Sequence, residues 1–262
     1  MSLFKLIRVV ILLSFLFVLV AGTWMTERRM ASWERPILVT VYPIAADDAP
    51  STKRFVEAIE AAYFDEVNRF FAREALPYGF QVTPAFRFQL APASAEMPPP
   101  IPDPFSPVKI ALWSLKMRWW SWLEDLRSEL VRPDVQMFVL YQDRRKADEV
   151  SISVGMRKGR YGIVKAFASE SMNSHNRVIF THELLHVLGA TDKYSLSTGE
   201  PQYPFGYADP EQQPLFPQTR AEIMGGRIPL TAYSSAMPAS LEYCKIGLQT
   251  AEEIGFFAKL LE

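Results

Sequence analysis

Cysteine is almost missing from this chain. With Cys244 alone, no disulfide can form within the chain and no cysteine-based zinc finger can be built. Histidine is nearly as scarce, limited to His175, His182 and His186, so any metal ion must be held by these few side chains together with aspartate or glutamate. Excess charge is absent as well. The 28 Lys and Arg stand against 29 Asp and Glu, a formal net charge of −1, which offers no basic surface for nucleic acid. No internal repeat is evident. What is present, 49% hydrophobic and 22% charged residues among 262, is the composition of an ordinary folded protein with room for one large domain at residues 30–262.

The N-terminus stands apart. A short basic tail, residues 1–8 with Lys5 and Arg8, precedes an uncharged apolar run over residues 9–25, just long enough to cross a bilayer. Trp24 at interface depth and Arg28 and Arg29 beyond it favour a single-pass transmembrane anchor. A cleaved signal sequence shares the basic start and apolar stretch, and cleavage within residues 1–22 would make the protein secreted, although no clear A-x-A site follows. Basic residues on the two sides nearly balance, so charge barely decides orientation. A short N-terminal tail that stays in the cytoplasm puts the domain on the extracytoplasmic, periplasmic side of the cell membrane.

Farther on, Ile37–Tyr42 reads as a strand ended by Pro43. Ser51 to Glu74 carries apolar residues near 3.6-residue spacing and reads as one long helix. Phe80–Leu90 is expected as a second strand, and Val108–Leu130 as a helix whose Trp113, Trp119, Trp120 and Trp122 pack on the core. Asp134–Tyr141 is a buried strand, and Ser151–Met156 and Tyr161–Ala168 flank a hairpin turn at residues 157–160. Strands alternating with helices predict an α+β fold with an α/β-like N-terminal part.

The chemistry lies between residues 175 and 194. Asn173 and Ser174 can cap a helix that runs to Leu188, where Gly189 supplies the stop. His182 and His186, four positions apart, then share a face and can converge on one metal ion. Glu183 points too far round the helix to ligate but can take the proton of a water beside the metal. Zinc in a catalytic site takes three protein ligands and keeps a fourth position for water. His175 lies about 10 Å back along the axis, too far for the same ion. Asp192 is better placed, because Gly189 can take a left-handed conformation and turn the chain back under the site.

The run His182-Glu183-Leu184-Leu185-His186-Val187-Leu188-Gly189-Ala190-Thr191-Asp192 resembles the extended zinc motif of the metzincin metallopeptidases, with Asp in place of the usual third His as in the snapalysin-like members. Gly189–Tyr194 is also similar to the motif of the deuterolysin-like aspzincins, where the Asp lies farther downstream. Glu222-Ile223-Met224-Gly225-Gly226 resembles the methionine turn that floors the metzincin zinc site. The resemblance implies a twisted sheet with an active-site helix in an upper part (about 36–189), and a C-terminal subdomain (about 190–262). It further implies Zn²⁺ held by His182, His186 and Asp192, Glu183 as general base, and Met224 packed beneath the metal. Gly226 stands where many relatives carry a Tyr that stabilises the oxyanion, which leaves Tyr194 and Tyr233 as substitutes. The loop Gly199–Pro217 would shape the substrate side-chain pocket.

The expected activity is thus a membrane-tethered zinc endopeptidase acting on a protein or peptide laid along an edge strand, for which Tyr161–Ala168 is the candidate. Two other classes use the same residues. One is a zinc amidase acting on a non-peptide or cell-wall amide. The other is a binding or assembly protein that keeps zinc for structure, against which Glu183 argues.

Overall fold

A computed structural model describes residues 3–93, 96–102, 106–145, 154–156 and 160–256. The first element, α1 (Leu3–Ser32), carries most of the described side chains of its apolar run in the open and is long and apolar enough to cross a membrane. Its end behaves differently. Met30 is buried, and Trp33 just beyond donates its indole N–H to the Ile254 carbonyl at 2.8 Å and packs against Phe256. The apolar helix therefore runs straight into the core of the domain.

Five strands form one sheet in the order β2-β1-β3-β5-β4: β1 (Ile37–Ala45), β2 (Phe86–Leu90), β3 (Val135–Gln142), β4 (Val154–Met156) and β5 (Tyr161–Phe167). All are parallel except β4, which runs against β5. Alternation along the strands sorts two cores. Val39, Val41, Met137, Val139 and Val164 face α3 (Asp65–Ala75) and α5 (Asn173–Leu188). Tyr42, Ile44, Phe138, Leu140 and Ile163 face α4 (Pro107–Ser128). The fold is thus a mixed α/β domain on a largely parallel sheet, with one apolar helix at its N-terminus.

Several expectations need correction. Pro43 does not end β1. Odd-numbered residues of β1 bond towards β2, as Ile37 N–H to Ala85 O shows, and β2 stops at Leu90 opposite Val41. The N–H that proline lacks would therefore have had no ladder partner. The expected helix over Ser51–Glu74 is broken into α2 (Pro50–Glu57), a 3₁₀ turn (Ala61–Phe64) and α3. That break turns Phe64 in against Phe88 and Phe180, with ring centroids 5.1 and 4.7 Å away. Strand β2 begins only at Phe86, where the Asn68 amide accepts from Phe86 N–H at 2.8 Å and donates to its carbonyl at 3.1 Å.

The edge strand also moves. β4 covers β5 on the outside, pairing Val154 with Ile163 and Met156 with Tyr161, so β4 and not β5 is outermost. Of the expected run Ser151–Met156 and the turn at 157–160, residues 151–153 and 157–159 lie outside the described residues. The tryptophans divide. Trp113 and Trp120 pack towards the sheet as expected, whereas Trp119 and Trp122 stand exposed.

After α5 the chain has little regular structure. β6 (Ala221–Glu222) pairs with β9 (Cys244–Lys245), β7 (Ile228–Thr231) makes a hairpin with β8 (Ser234–Ala236), and α6 (Leu248–Glu253) follows. These pieces pack beneath the C-terminal end of α5 and supply the rest of the site.

Candidate metal centre

Helix α5 ends at Gly189, whose φ of 118° lies in the left-handed region that a side chain disfavours. Gly189 N–H bonds Leu185 O, and Ala190 N–H bonds the same carbonyl at 2.9 Å. The reversal brings Asp192 back under the helix. Asp192 Oδ1 lies 3.2 Å from His182 Nε2 and 3.1 Å from His186 Nε2. One ligand atom from each of the three residues falls within 4.8 Å of the others, a group able to hold a metal ion.

The chemistry of these donors can be tested against zinc. Four ligand atoms at 2.0–2.1 Å in a tetrahedral array stand about 3.3 Å apart, close to the spacings observed. Both imidazoles are turned by carbonyl partners on their other nitrogen: His182 Nδ1 lies 2.9 Å from Ile223 O, and His186 Nδ1 lies 2.9 Å from Ala190 O. A carbonyl only accepts, so in the neutral ring Nδ1 carries the proton and Nε2 presents its lone pair to the centre. Asp192 Oδ1 is itself buried and receives no hydrogen bond of good geometry. Three lone-pair donors thus converge with nothing between them to share, which a cation resolves. The three groups also act on one another's protonation. Burial would raise the Asp192 carboxyl, but the two imidazoles outweigh it and hold it well below the carboxylate range. Burial would lower His182, but Asp192, Glu183 and the Ile223 carbonyl outweigh it and raise it.

Neither a scan against models of known protein families nor a search of curated proteins found a match for this chain. What the site does must be read from its own residues.

Glu183 is buried beside the centre, near enough for its charge to act on both His182 and Tyr194. It is not one of the three converging ligands. Tyr194 stands with its ring centroid 6.3 Å from that of His182. Its phenol is pushed up to about 12 by burial and by the carboxylates of Asp192 and Glu183, so it stays protonated and able to donate. Tyr233, the other tyrosine expected there, is 94% exposed at the tip of the β7–β8 hairpin and does not line the cavity at the site. His175 is half-buried on the first turn of α5 and takes no part in the ligand group.

Met224 is fully buried, and its turn ties the two ligand-bearing segments together. Ile223 O holds His182, while Met224 O accepts from Lys193 N–H at 2.9 Å, next to Asp192. Glu222 shapes the turn from below. Its buried carboxylate accepts from Gly225 N–H at 2.8 Å, Gly247 N–H at 3.1 Å and Thr250 Oγ1 at 2.7 Å. Burial raises its pKa against those bonds. Gly225 has to be glycine, since a Cβ there would sit 2.4 Å from Gly206 O.

A cavity of about 250 Å³ opens beside His182, lined by Val178, Ile179, Tyr194, Ile223 and Met237, with Arg227 also on its wall. Gly199 is the contribution of the loop Gly199–Pro217. Larger hollows lie elsewhere, about 460 Å³ at Tyr42 and Glu124 and about 530 Å³ at Asp47 and Lys53, but among the described residues no metal-ligand group is found at either.

One cluster was not foreseen. Glu253 of α6 clamps both neighbours of Asp192: its carboxylate accepts from Thr191 N–H at 2.9 Å, Thr191 Oγ1 at 2.8 Å and Lys193 Nζ at 2.7 Å. Lys193 is buried and also donates to Thr191 O. Nothing in the local pattern singles out Glu253, because its partners lie some sixty positions away in the chain.

Proposed function

We propose that the chain is a membrane-tethered, zinc-dependent endopeptidase of metzincin type. The observation that carries this reading is the meeting of His182, His186 and Asp192 at spacings suited to zinc, with buried Glu183 beside them and an apolar cavity next door.

Zinc bound by these three residues would lower the pKa of a water and polarise the scissile carbonyl. The remaining work belongs to the chain. His182 and His186 are kept in one tautomer by Ile223 O and Ala190 O. Glu183, buried beside the centre, takes the proton of the attacking water and passes it to the leaving amine. Tyr194, still protonated at neutral pH, donates to the carbonyl oxygen as negative charge builds on it, filling the role left open at Gly226. The cavity beside His182 receives an apolar substrate side chain next to the scissile bond. β4, the outermost strand among the described residues, offers its outer edge to an extended peptide. With α1 as anchor and its short basic tail in the cytoplasm, the domain stands on the extracytoplasmic side.

Metal analysis and a peptide-library cleavage assay test this together. The wild type should carry zinc and cleave beside apolar residues. Glu183→Gln should keep zinc and lose about 10²–10⁴-fold in rate. Asp192→Ala should lose zinc. Zinc without hydrolysis of any amide would mean a structural metal, and cleavage confined to cell-wall amides would make the protein an amidase.

A further inference from the structure

Helix α4 buries only one side. Trp113, Met117, Ser121 and Glu124 are its buried residues, turned towards the sheet. On the other side Leu112, Leu115, Trp119, Trp122 and Leu126 are 62, 66, 63, 46 and 57% exposed. Their spacing of three and four places them in one unbroken stripe along the helix. Trp119 and Trp122 lie against each other, ring centroids 5.1 Å apart, rather than against the domain. Soluble surfaces scatter apolar residues singly; a continuous stripe of this length marks a contact surface.

Charge beside the stripe indicates what covers it. By helical position Lys109 and Lys116 run along one flank and Arg118 along the other, all exposed. Arg118, Arg132 and Arg160 also line a cleft of about 190 Å³ whose wall includes Trp122. Carboxylates are present there too, but committed. Asp125 meets Tyr42 Oη at 3.3 Å, and Asp134 accepts from Leu38 N–H at 3.0 Å and pairs with Arg29. Burial and the neighbouring Arg132, Arg29 and Arg118 lower the pKa of Arg160, offset in part by Glu27, the mark of guanidinium groups crowded together. Apolar rings beside basic flanks and a guanidinium cleft complement acyl chains lying below phosphate groups.

Continuity with α1 gives the second argument. Arg29, which pairs with Asp134 of that cleft, sits in the last turn of α1. At the position before it, the Arg28 guanidinium lies 4.2 Å over the ring of Trp24 one turn back, the aromatic and basic pairing found where a span leaves the bilayer. The cleft and the end of α1 are therefore at the same edge of the domain, where β1, β3 and β5 all begin.

We propose that α4 lies in the interface of the bilayer that α1 crosses. Its Leu and Trp stripe enters the outer acyl region, and Arg118, Arg132 and Arg160 engage the phosphates of anionic phospholipid. This rests on reading α1 as a membrane span, and docking then adds a second contact between the domain and the bilayer.

The full chain in vesicles tests it. Leu115→Cys is spin-labelled, buried Cys244 remaining out of reach, and its accessibility to oxygen and to a water-soluble nickel complex is read by power saturation. Phosphatidylcholine vesicles with and without phosphatidylglycerol are compared, and Leu126→Cys serves as a second reporter in case the first fails to fold. With phosphatidylglycerol the label should favour oxygen over nickel. Reversing Arg118 and Arg132 to Glu should lower the docked-to-undocked ratio about fivefold or more for each arginine. A label that stays in water, on a chain that floats with vesicles and resists alkaline carbonate, would overturn docking while leaving the anchor intact. Cross-linking of Leu115→Cys between chains, with the label shielded equally in detergent, would show that a second copy covers the stripe and overturn the proposal. A chain that does not float with vesicles would remove anchor and docking together.

Discussion

Helices α4 and α5 cover opposite faces of one sheet and differ in what surrounds them. α5 is enclosed: Val178, Phe180, Leu184, Leu185 and Val187 are buried, and its polar residues are tied inward as well. Asn176 bonds both the N–H and the carbonyl of Phe167, at 3.0 and 2.8 Å, and Arg177 pairs with Glu66 at 2.6 Å. α4 has comparable apolar content but leaves Leu115 and Trp119 in the open. Burial here follows the neighbours a helix has, not its own composition. Where the fold packs elements on every side of a helix, polar chemistry can be held in place; where it stops at one layer, an apolar helix surface waits for something outside the chain.

The largest effect should come from breaking the enclosed side. Phe180 is 2% exposed and packs between Phe64 and Phe88. Phe180→Ala should cost about 3–5 kcal/mol of stability, measured by urea unfolding of the detergent-solubilised chain. A loss below 1 kcal/mol would mean that α5 is not the core helix described, and the contrast with α4 would collapse.

Next in size is the clamp on Asp192. Glu253→Gln replaces an acceptor of four hydrogen bonds, three of them from Thr191 and Lys193, with a group that is half donor, loosening both residues around the ligand. Zinc affinity, read by chelator competition, should fall about 10–100-fold, as for other residues that hold metal ligands in place. Unchanged affinity with a lowered Tm would assign Glu253 to stability alone.

The enclosed and open sides were also unequally legible in the sequence. His182, Glu183 and His186 could be paired from spacing, since the geometry of one helix fixes their relation, and Gly189 signalled the turn that returns Asp192. Met224 was recognisable by its local pattern, although its role in joining Lys193 to the site depends on a carbonyl and leaves no trace in residue type. Glu253 and the part Glu222 plays beneath the turn were invisible because Thr191, Lys193, Gly247 and Thr250 are distant from them in the chain. The Ser51–Glu74 helix was misjudged because the apolar period persists across a break that tertiary contacts of Phe64 impose. Tryptophan identity said nothing about direction in α4, since both of its faces are apolar and periodicity cannot choose between them.

A smaller effect concerns the loop between Asp192 and the methionine turn, which polar contacts hold down. Burial alone would raise the Asp209 carboxyl, but Lys245 at 2.6 Å and Arg220 at 3.6 Å outweigh it and lower its pKa. That stabilisation is complete above the unfolded value near about pH 4 and is lost as pH falls through the lower folded value. Asp209→Asn should therefore cost about 1 kcal/mol or less from pH 5 to 8, given the partial exposure of the pair. The gap between wild type and variant should close on acidification below pH 4. A gap that widens there would mean the carboxyl is raised rather than lowered.

The smallest effect should fall on the open side. Leu115→Ser removes a leucine that is 66% exposed and has little to lose on unfolding, so in detergent its stability should stay within about ±0.5 kcal/mol of wild type. In anionic vesicles the same change should weaken docking of α4, because only there does the side chain leave water. The pair of measurements separates a surface that serves the fold from one that serves a partner. A loss of 2 kcal/mol in detergent would place Leu115 inside the domain, and α4 would then be an ordinary core helix like α5.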